Sequence, residues 1–201
     1  MINSKLIKTA FFTDQYDEWN PDEGPFIINR KSYKIVTMNQ VHGNKIVKLP
    51  TFTNGYKCDG LYTEKTGKIL CVKTADCVPL LIDNGKGVGA IHAGWKGLEK
   101  GILKKFFENK KYYTDNLKVV IGPHAKSCCY EVTSEMNSIF PNHVRQINSK
   151  YVLDMTTYIK DYLDKFSIEY EDCAVCTICN DNYFSYRRNE TQNRQFSFVC
   201  L

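Results

Sequence analysis

Short apolar runs of strand length, separated by turn-forming residues, restrict the possible folds of this chain more than any other feature. Asp83-Asn84-Gly85 supplies a turn between two of these runs, and Gly122-Pro123 ends another. Runs of this length that are rich in β-branched residues are typical of β-strands. The runs lie at residues 33–38, 45–49, 69–73, 78–82, 88–92 and 117–121. We therefore predict a sheet-rich fold, in which the first two runs form a hairpin with His42 at its tip.

A helical period appears after Gly94. Apolar residues recur there at a spacing of three and four, which predicts a helix over about 95–109, and similar stripes predict helices at 131–140 and 152–166. Strand-like residues return at 168–170 and 196–200. Because strands and helices alternate irregularly, the chain fits an α+β fold with mixed sheets better than a strictly parallel one. No linker divides the chain, so we predict a single domain over residues 1–201.

Composition excludes several classes of protein. With 201 residues, 43% of them hydrophobic, the chain can bury a full core. The net charge of +5 is spread over scattered lysines instead of a basic stripe, so we expect no nucleic-acid partner. No apolar run has the length needed to span a bilayer, and residues 1–14 do not read as a signal peptide. We expect a cytoplasmic protein without a membrane partner.

Three short segments each place a potential metal ligand beside small or turn-forming residues. They are NQVHG with His42, TADCVP with Cys77 and HAGWKG with His92. The sequence between Cys77 and His92 has the length of one strand, a turn and a returning strand, so both residues are expected near the ends of adjacent strands. Two imidazoles and one thiolate leave the fourth position of a tetrahedral ion open, which is typical of a catalytic metal site. Taken singly, each residue is more often structural, and only the combination predicts the site.

Longer motifs carry a resemblance to a known family. The segments NQVHG, CDGLYT, TADCVPLL, GAIHAGWKG, VVIGPHAKSCCYEV and YFSYRR follow one another along the chain. On these segments the chain resembles the laccase-domain family, whose members are described as multicopper polyphenol oxidases or as purine nucleoside phosphorylases. The resemblance implies two packed mixed β-sheets flanked by helices, similar to cysteine-hydrolase-like toxin domains. It also implies one metal ion held by His42, Cys77 and His92.

The same resemblance implies an enzyme that acts on purine nucleosides. The implied reactions are zinc-dependent phosphorolysis of adenosine, inosine, guanosine and methylthioadenosine, and deamination of adenosine. Some bacterial relatives are instead assigned to the editing of peptidoglycan precursors. The residues are compatible with deamination, because zinc lowers the pKa of a bound water. The usual nucleoside-deaminase signature, H-x-E followed by P-C-x-x-C, is absent, so deamination here would be an independent solution.

Several charged residues are candidates for the chemistry around the metal. Lys96, Arg187 and Arg188 are candidate partners of a phosphate group, together with the backbone N–H groups that follow Gly94. Arg187 and Arg188 fit surface salt bridges equally well. Asp59 is a candidate catalytic residue, either as a general base or by fixing a ligand imidazole. The implied substrates are a purine nucleoside and phosphate.

Other functions stay open at this point. Two histidines and a cysteine also describe a copper centre, with Met38 as a conceivable axial ligand, and a polyphenol oxidase is the corresponding alternative. A multicopper cluster needs more imidazoles than the four histidines of this chain provide, so zinc is preferred to copper. A metal-free hydrolase would use Cys77 as nucleophile and His92 as base. The non-enzymatic alternative is a small nucleotide-sensing or scaffold protein, favoured if the pocket binds purines without turnover. We expect a monomer or a homodimer.

The remaining cysteines form two groups. The chain has nine cysteines, an odd number, and we expect free thiols, some of them ligands. Cys173, Cys176 and Cys179 have the spacing of an iron–sulfur or zinc ligand run, but the next ligand position is Tyr183, which cannot serve. Cys128-Cys129 is a sequence-adjacent pair that is poorly shaped for chelation. We therefore interpret both groups as structural.

The N-terminal segment departs from the family pattern. The family's Gly-Gly-Val-Ser motif is replaced by residues 11–16 and by an acidic stretch at Asp22-Glu23. This loop is expected to line the pocket, so the preferred nucleoside is left undetermined.

Overall fold

The computed structural model describes residues 1–17, 26–28, 31–49, 55–112 and 114–201, so the acidic stretch at Asp22-Glu23 lies outside the described residues. The strands are β1 (Ile2–Asn3), β2 (Ala10–Phe12), β3 (Phe26–Ile28), β4 (Lys31–Val36), β5 (Met38–Asn39), β6 (Ile46–Lys48), β7 (Tyr56–Lys57), β8 (Gly60–Thr63), β9 (Lys68–Thr74), β10 (Val78–Asp83), β11 (Val88–Ala93), β12 (Lys118–Ile121), β13 (Glu131–Val132), β14 (Val144–Ile147), β15 (Lys150–Leu153), β16 (Glu169–Asp172) and β17 (Gln195–Cys200). The helices are α1 (Trp95–Glu99), α2 (Ile102–Phe107), α3 (Met136–Ile139), α4 (Met155–Lys165) and α5 (Tyr186–Asn189).

Two mixed sheets dominate the described part of the chain. The first has the strand order β1-β2-β17-β9-β4-β3, and the second has the order β16-β12-β10-β11-β8-β6. Most neighbours are antiparallel, but β4 with β9, β6 with β8 and β12 with β16 are parallel pairs. Phe12, Val72 and Val199 of the first sheet share one buried cluster with Leu81 and Val120 of the second. The predicted α+β fold with two packed mixed sheets is confirmed.

Strand β10 shows how the alternation of side chains builds two layers. Leu81 belongs to the cluster between the sheets, whereas Leu80 and Ile82 belong to a second cluster that includes Phe106 of α2 and Ile159 of α4. Successive side chains of a strand point to opposite faces, so a strand covered on both faces reads as a continuous apolar run. The helices α1 to α4 therefore cover the outer face of the second sheet.

The helix predicted over 95–109 is two shorter helices. Its predicted apolar stripe is buried, but Gly101 between α1 and α2 has a φ of 76°, a left-handed conformation that ends α1 and that glycine adopts without steric cost. The segment 131–140 also differs from its prediction, because β13 precedes the short helix α3. The third predicted helix is confirmed as α4, which starts at Met155 after the strand β15. No helix in the described ranges combines the length and hydropathy needed to cross a membrane.

The predicted hairpin with His42 at its tip is wrong. Strand β4 pairs with β9 in the first sheet, whereas β6 pairs with β8 in the second. The segment between them therefore crosses from one sheet to the other instead of returning along its own strand. His42 still lies in a turn, where its φ of 55° is left-handed. The local turn signal was correct, and the partner of each strand was decided by the two-sheet packing.

The cysteine prediction needs one correction. The sulfur atoms of Cys129 and Cys179 are in bonding contact, and their Cα atoms are 6.9 Å apart, so the structure pairs them as a disulfide. The other seven cysteines form no disulfide. The tertiary fold brings the two cysteine groups together although 50 residues separate this pair in the sequence.

His124 is expected to make stability depend on pH. Its imidazole is fully buried between the Gly122 carbonyl and the Thr156 hydroxyl, each 2.7 Å away. Burial, reinforced by the Lys126 ammonium, lowers the pKa of His124 from 6.5 to about 4. Between these two pH values His124 binds a proton in the unfolded chain but not in the folded chain. The free energy of unfolding therefore falls by about 3 kcal/mol as pH decreases from 6.5 to 4.

Urea unfolding at several pH values measures this effect. The free energy of unfolding is plotted against pH for the parent and for His124→Gln. The difference between the two slopes isolates the contribution of His124, because the other titrating groups are common to both proteins. Identical pH profiles for the two proteins would contradict the prediction.

Candidate metal centre

His42, Cys77 and His92 converge on one point. Their potential ligand atoms all lie within 4.8 Å of one another, and Cys77 Sγ is 3.9 Å from His42 Nε2. Cys77 immediately precedes β10, and His92 lies near the end of β11, where the register pairs it with Pro79. The prediction that Cys77 and His92 occupy adjacent strand ends is confirmed. His42 is exposed and Cys77 half-buried, whereas His92 is 3% exposed, so the group opens on one side.

The carboxylate of Asp59 organises two of the three candidate ligands. It is fully buried, and its Oδ1 lies 2.8 Å from His92 Nδ1. It also accepts backbone N–H hydrogen bonds from His42 at 2.9 Å and from Gly43 at 2.7 Å, and weaker ones from Val41. These contacts occupy the carboxylate lone pairs and leave Nε2 of His92 to face Cys77. Of the two predicted roles for Asp59, this arrangement favours the fixing of an imidazole.

The electrostatics of the site favour a metal-binding thiolate. Burial disfavours the charged thiolate, but the imidazoles of His92 and His42 outweigh it and lower the pKa of Cys77 to about 6. For His92, burial disfavours the imidazolium, yet Cys77 and Asp59 together raise the pKa to about 9. Without a metal, the site therefore holds a thiolate and an imidazolium at neutral pH. A divalent cation can replace that single proton while both side chains keep their positions, so the donor set fits a metal ion.

A close approach of backbone explains one of the small residues in the motifs. A Cβ atom added to Gly94 would lie 2.7 Å from Cys77 Sγ and 3.4 Å from His42 Cδ2. Glycine is therefore required where the β11–α1 connection passes the ligands. The small residue noted beside His92 in the sequence makes room for the two other ligands.

The three ligands lie in a cavity of about 720 Å³. Its lining includes the aromatic side chains of Trp95, Tyr130 and Tyr186. It also includes the cationic side chains of Lys73, Lys96, Lys100, Arg187 and Arg194. Aromatic faces can stack on a planar base, and cations can bind an anionic group. The cavity is of the size and composition of a site for a small, partly anionic molecule.

The predicted phosphate partners separate in the structure. Lys96 and Arg187 line the cavity, and the guanidinium of Arg187 lies 4.8 Å from the ring of Tyr130 while it donates to the Glu131 carbonyl at 2.7 Å. Arg188 does not line it. Its guanidinium donates to the backbone carbonyls of residues 177, 178, 180 and 183. Arg188 therefore fixes the chain before α5. The surface salt bridge that was the alternative is present as a single 3.5 Å contact with Asp181.

Asp76 connects the Cys77 turn to distant segments. Its carboxylate accepts hydrogen bonds from the Thr177 hydroxyl and from the Arg187 backbone N–H, both at 2.7 Å. Its own carbonyl accepts from the Ala125 N–H at 2.9 Å, and its φ of 90° is left-handed. Asp76 thus holds Arg187 beside Cys77 and has a positioning role.

Sequence reasoning missed several lining residues. Gln40 exchanges two hydrogen bonds with the backbone of Lys73, and Lys100 donates to the His42 carbonyl at 3.2 Å. Trp95, Tyr130 and the residues around them stand inside motifs that were quoted for another reason. Trp95 lies three residues after His92 and Tyr186 directly precedes Arg187, and this nearness in sequence was the available signal, whereas Tyr130 had none.

Solved structures share this architecture. A YfiH protein from Bacillus licheniformis superposes with a TM-score of 0.75 at 28% identity and covers 83% of this chain and 74% of its own. YlmD from Geobacillus stearothermophilus has a TM-score of 0.73 at 27% identity, with 83% and 73% covered. The further likeness to cysteine-hydrolase-like toxin domains stays a prediction.

Sequence relatives and a family match assign the chain to a protein family. It is 33% identical to a protein named purine nucleoside phosphorylase from Aquifex aeolicus, over 84% of this chain and 83% of the relative. It is 34% identical to a protein of the same name from Clostridium acetobutylicum, over 81% and 75%. The family described as multi-copper polyphenol oxidoreductase laccase matches residues 27–201. Since the match spans most of the sequence, the chain belongs to this laccase-domain family.

Proposed function

We propose that this chain is a zinc-dependent purine nucleoside phosphorylase, acting on adenosine, inosine, guanosine and methylthioadenosine, that also deaminates adenosine. The observation that carries the proposal is the convergence of His42, Cys77 and His92 in a cavity lined by aromatic and cationic side chains. The names of the relatives support the same activity. We further propose a single domain over residues 1–201 that acts in the cytoplasm as a monomer or homodimer.

The proposed roles follow from the positions of the side chains. His42, Cys77 and His92 would hold zinc, with Asp59 fixing the orientation of His92. Zinc supplies Lewis acidity and one open coordination position. Trp95, Tyr130 and Tyr186 offer flat faces for a purine.

The cationic side of the cavity suits the second substrate. Lys96 and Arg187 would bind phosphate and aim one of its oxygens at C1′ of the ribose. In phosphorolysis a C1′–O bond forms and the C1′–N9 bond breaks. The electron pair of the broken bond leaves with the base, which takes up a proton. The products are the free base and ribose 1-phosphate.

The other histidines argue for a single metal ion at this site and for zinc. His124 is buried against Gly122 and Thr156, and His143 contacts Pro141 and Asp161. Neither belongs to the ligand group formed by His42, Cys77 and His92. A copper cluster built mainly from imidazoles would need both, so copper oxidase chemistry is disfavoured.

A direct assay tests the proposal. The protein is purified without chelators, its metal content is measured, and it is incubated with adenosine and phosphate while adenine, inosine and ribose 1-phosphate are followed. We expect zinc in the protein and phosphate-dependent formation of adenine and ribose 1-phosphate, with inosine as the deamination product. Stoichiometric copper without nucleoside turnover would contradict the proposal.

A metal-free hydrolase is the second candidate, favoured by the lowered pKa of Cys77 beside His92. A thiolate paired with an imidazolium is the arrangement of a cysteine nucleophile and its base. Iodoacetamide labelling of Cys77 with and without bound zinc separates the two. Protection by zinc, with turnover lost on chelation and restored by zinc, identifies a ligand; turnover that survives chelation identifies a nucleophile.

The neighbouring arginines give a matched pair of variants. Arg187→Ala is expected to raise the KM for phosphate about tenfold, roughly 1.4 kcal/mol, with only a small loss of thermal stability, because its side chain lines the cavity and its guanidinium donates to one exposed carbonyl, that of Glu131. Arg188→Ala is expected to lower stability by about 2 kcal/mol, because backbone carbonyls lose a charged donor. Steady-state kinetics and thermal unfolding of both variants check this. A higher KM for phosphate in Arg188→Ala and the larger loss of stability in Arg187→Ala would contradict the assignment of Arg187 to phosphate and of Arg188 to the fold.

A further inference from the structure

Four cysteines from two distant parts of the sequence form one compact group. The sulfur atoms of Cys128, Cys129, Cys176 and Cys179 all lie within 4.8 Å of one another. Cys179 Sγ is 3.3 Å from Cys128 Sγ and 3.4 Å from Cys176 Sγ. None of the four lines the nucleoside cavity. The fifth nearby cysteine, Cys173, does not belong to the group, so the regular spacing of the C-x2-C-x2-C run is not what assembles it.

Two neighbouring turns supply the four sulfurs. One turn spans residues 127–129 and the other residues 177–179. A parallel bridge between His124 and Cys176 places them side by side, and the Thr177 N–H donates to the His124 carbonyl at 3.0 Å. The first turn carries Cys128 and Cys129, and the second carries Cys179, with Cys176 immediately before the turn. Cys176 and Cys179 have the C-x2-C spacing of structural zinc sites. Cys128 and Cys129 are adjacent in sequence, but the fold places both sulfurs beside that pair.

We propose that Cys128, Cys129, Cys176 and Cys179 bind one zinc ion as a structural site, separate from the site at His42, Cys77 and His92. Four thiolates around one ion at a Zn–S distance of about 2.3 Å lie roughly 3.8 Å apart, which is the scale of the distances in this group. An iron–sulfur cluster places several iron atoms between its cysteines and needs them further apart. A single tetrahedral ion is therefore the better fit.

The surroundings suit a negatively charged tetrathiolate site. The Lys126 backbone N–H points at Cys176 Sγ, 3.5 Å away. The guanidinium of Arg188 binds the carbonyls of Thr177 and Ile178 inside the second turn. Hydrogen bonds to sulfur and a nearby cation both stabilise thiolates bound to a metal. The role of Arg188 is thus to stabilise this turn and does not involve substrate.

The disulfide between Cys129 and Cys179 is the oxidised form of this group, and zinc would bind the reduced form, in which all four sulfurs are thiolates. The disulfide uses two of the four sulfurs and leaves Cys128 and Cys176 beside it without a covalent role. The Cα separation of this pair, 6.9 Å, lies just beyond the range of about 4.4–6.8 Å that disulfides usually span. A zinc ion gives all four sulfurs a partner, including Cys128 and Cys179, which are exposed.

The site would brace the loops that carry part of the nucleoside cavity. Tyr130 directly follows Cys129, and Thr177, between the two cysteines of the second turn, donates to the Asp76 carboxylate. Asp76 also accepts from the Arg187 N–H. Zinc would therefore hold Tyr130 and Arg187 in place from outside the cavity.

Metal counting on the intact protein tests the site. The parent protein, purified without chelators under reducing conditions, is expected to hold two zinc ions per chain. The double variant Cys176→Ser/Cys179→Ser is expected to hold one, whereas Cys173→Ser, a matched change in the same segment, keeps two. Loss of the second ion should lower the Tm by roughly 5–10 °C. Cys128→Ser, a milder change at an exposed residue, should release zinc to a chelator faster than the parent.

Measurements on the parent protein make the test independent of variant folding. Cobalt substitution should give the intense thiolate-to-cobalt absorption of a tetrathiolate site, and denaturation with a chelator should release nine reactive thiols, the number of cysteines in the chain. One zinc ion that Cys77→Ser removes and the double variant retains would overturn the proposal. So would seven reactive thiols with a linked Cys129–Cys179 peptide, or iron in place of the second zinc.

Discussion

Replacing Cys77 by serine is expected to remove the proposed zinc ion at His42, Cys77 and His92 and to lower kcat/KM for the proposed phosphorolysis of adenosine at least a thousandfold, roughly 4 kcal/mol. The sulfur is the only anionic ligand of the three, and its lowered pKa makes it a thiolate at neutral pH. A serine hydroxyl stays protonated there and is a poor zinc ligand. Metal analysis and the phosphorolysis assay on the same preparation measure both effects.

A buried cysteine outside the site provides the control. Cys200→Ser makes the same chemical change in a hydrophobic cluster of the first sheet, where Cys200 is 3% exposed. It is expected to lower stability but to keep zinc and activity. Full zinc occupancy at this site in Cys77→Ser would refute the ligand set, even if activity were lost.

Replacing Asp59 by asparagine is expected to weaken zinc binding about 10- to 100-fold and to destabilise the fold by about 3 kcal/mol. The carboxylate accepts N–H bonds from His42 and Gly43 and pairs with His92 Nδ1. An amide must turn its NH2 group toward at least one of these donors. The ligand imidazole and the turn that carries His42 therefore lose their common support.

The pKa of Asp59 gives the pH dependence of the same contacts. Burial opposes ionisation, but the hydrogen bonds from His92 and Gly43 outweigh it and lower the pKa of Asp59 below its ordinary value of 3.8. The stability that these bonds contribute is thus complete above pH 3.8 and is lost as pH falls through the lower folded pKa. At neutral pH the carboxylate is fully available to His92.

Zinc titration and denaturant unfolding of the Asp59 variant test this. Asp161→Asn is the control, because Asp161 is the exposed partner of His143 and has no contact with the ligands. It should leave zinc affinity and stability nearly unchanged. An Asp59→Asn protein that binds zinc as tightly as the parent would show that His92 needs no support from Asp59.

Local sequence signals correctly predicted the features that depend on residues close together in the chain. The turn at Asp83-Asn84-Gly85 returns β11 along β10, and this hairpin alone brings Cys77 and His92 to neighbouring strand ends. The apolar stripe of α4 likewise follows from its own period. In each case the interacting residues are near in sequence, so spacing is sufficient to place them.

Long-range pairing escaped the same reasoning. The runs on either side of His42 have the length and composition of a hairpin, but each gains a partner in a different sheet. The helix after Gly94 has a continuous apolar stripe, yet Gly101 permits a break that lets both short helices pack on the sheet. Strand pairing and helix breaks of this kind depend on which surfaces meet in the folded protein, so the periodicity of the sequence does not predict them.

The sequence by itself determined the α+β class, the strand-end positions of Cys77 and His92, and the donor types of the candidate metal centre, because turn residues, periodicity and side-chain chemistry are local properties. Only the tertiary structure decided that His42 joins them across two sheets, that Asp59 fixes His92, and that Arg188 binds backbone instead of the cavity. It alone brought Cys128-Cys129 to Cys176 and Cys179. These contacts join residues that are far apart along the chain, and their free energy comes from the packing of the two sheets around a common core.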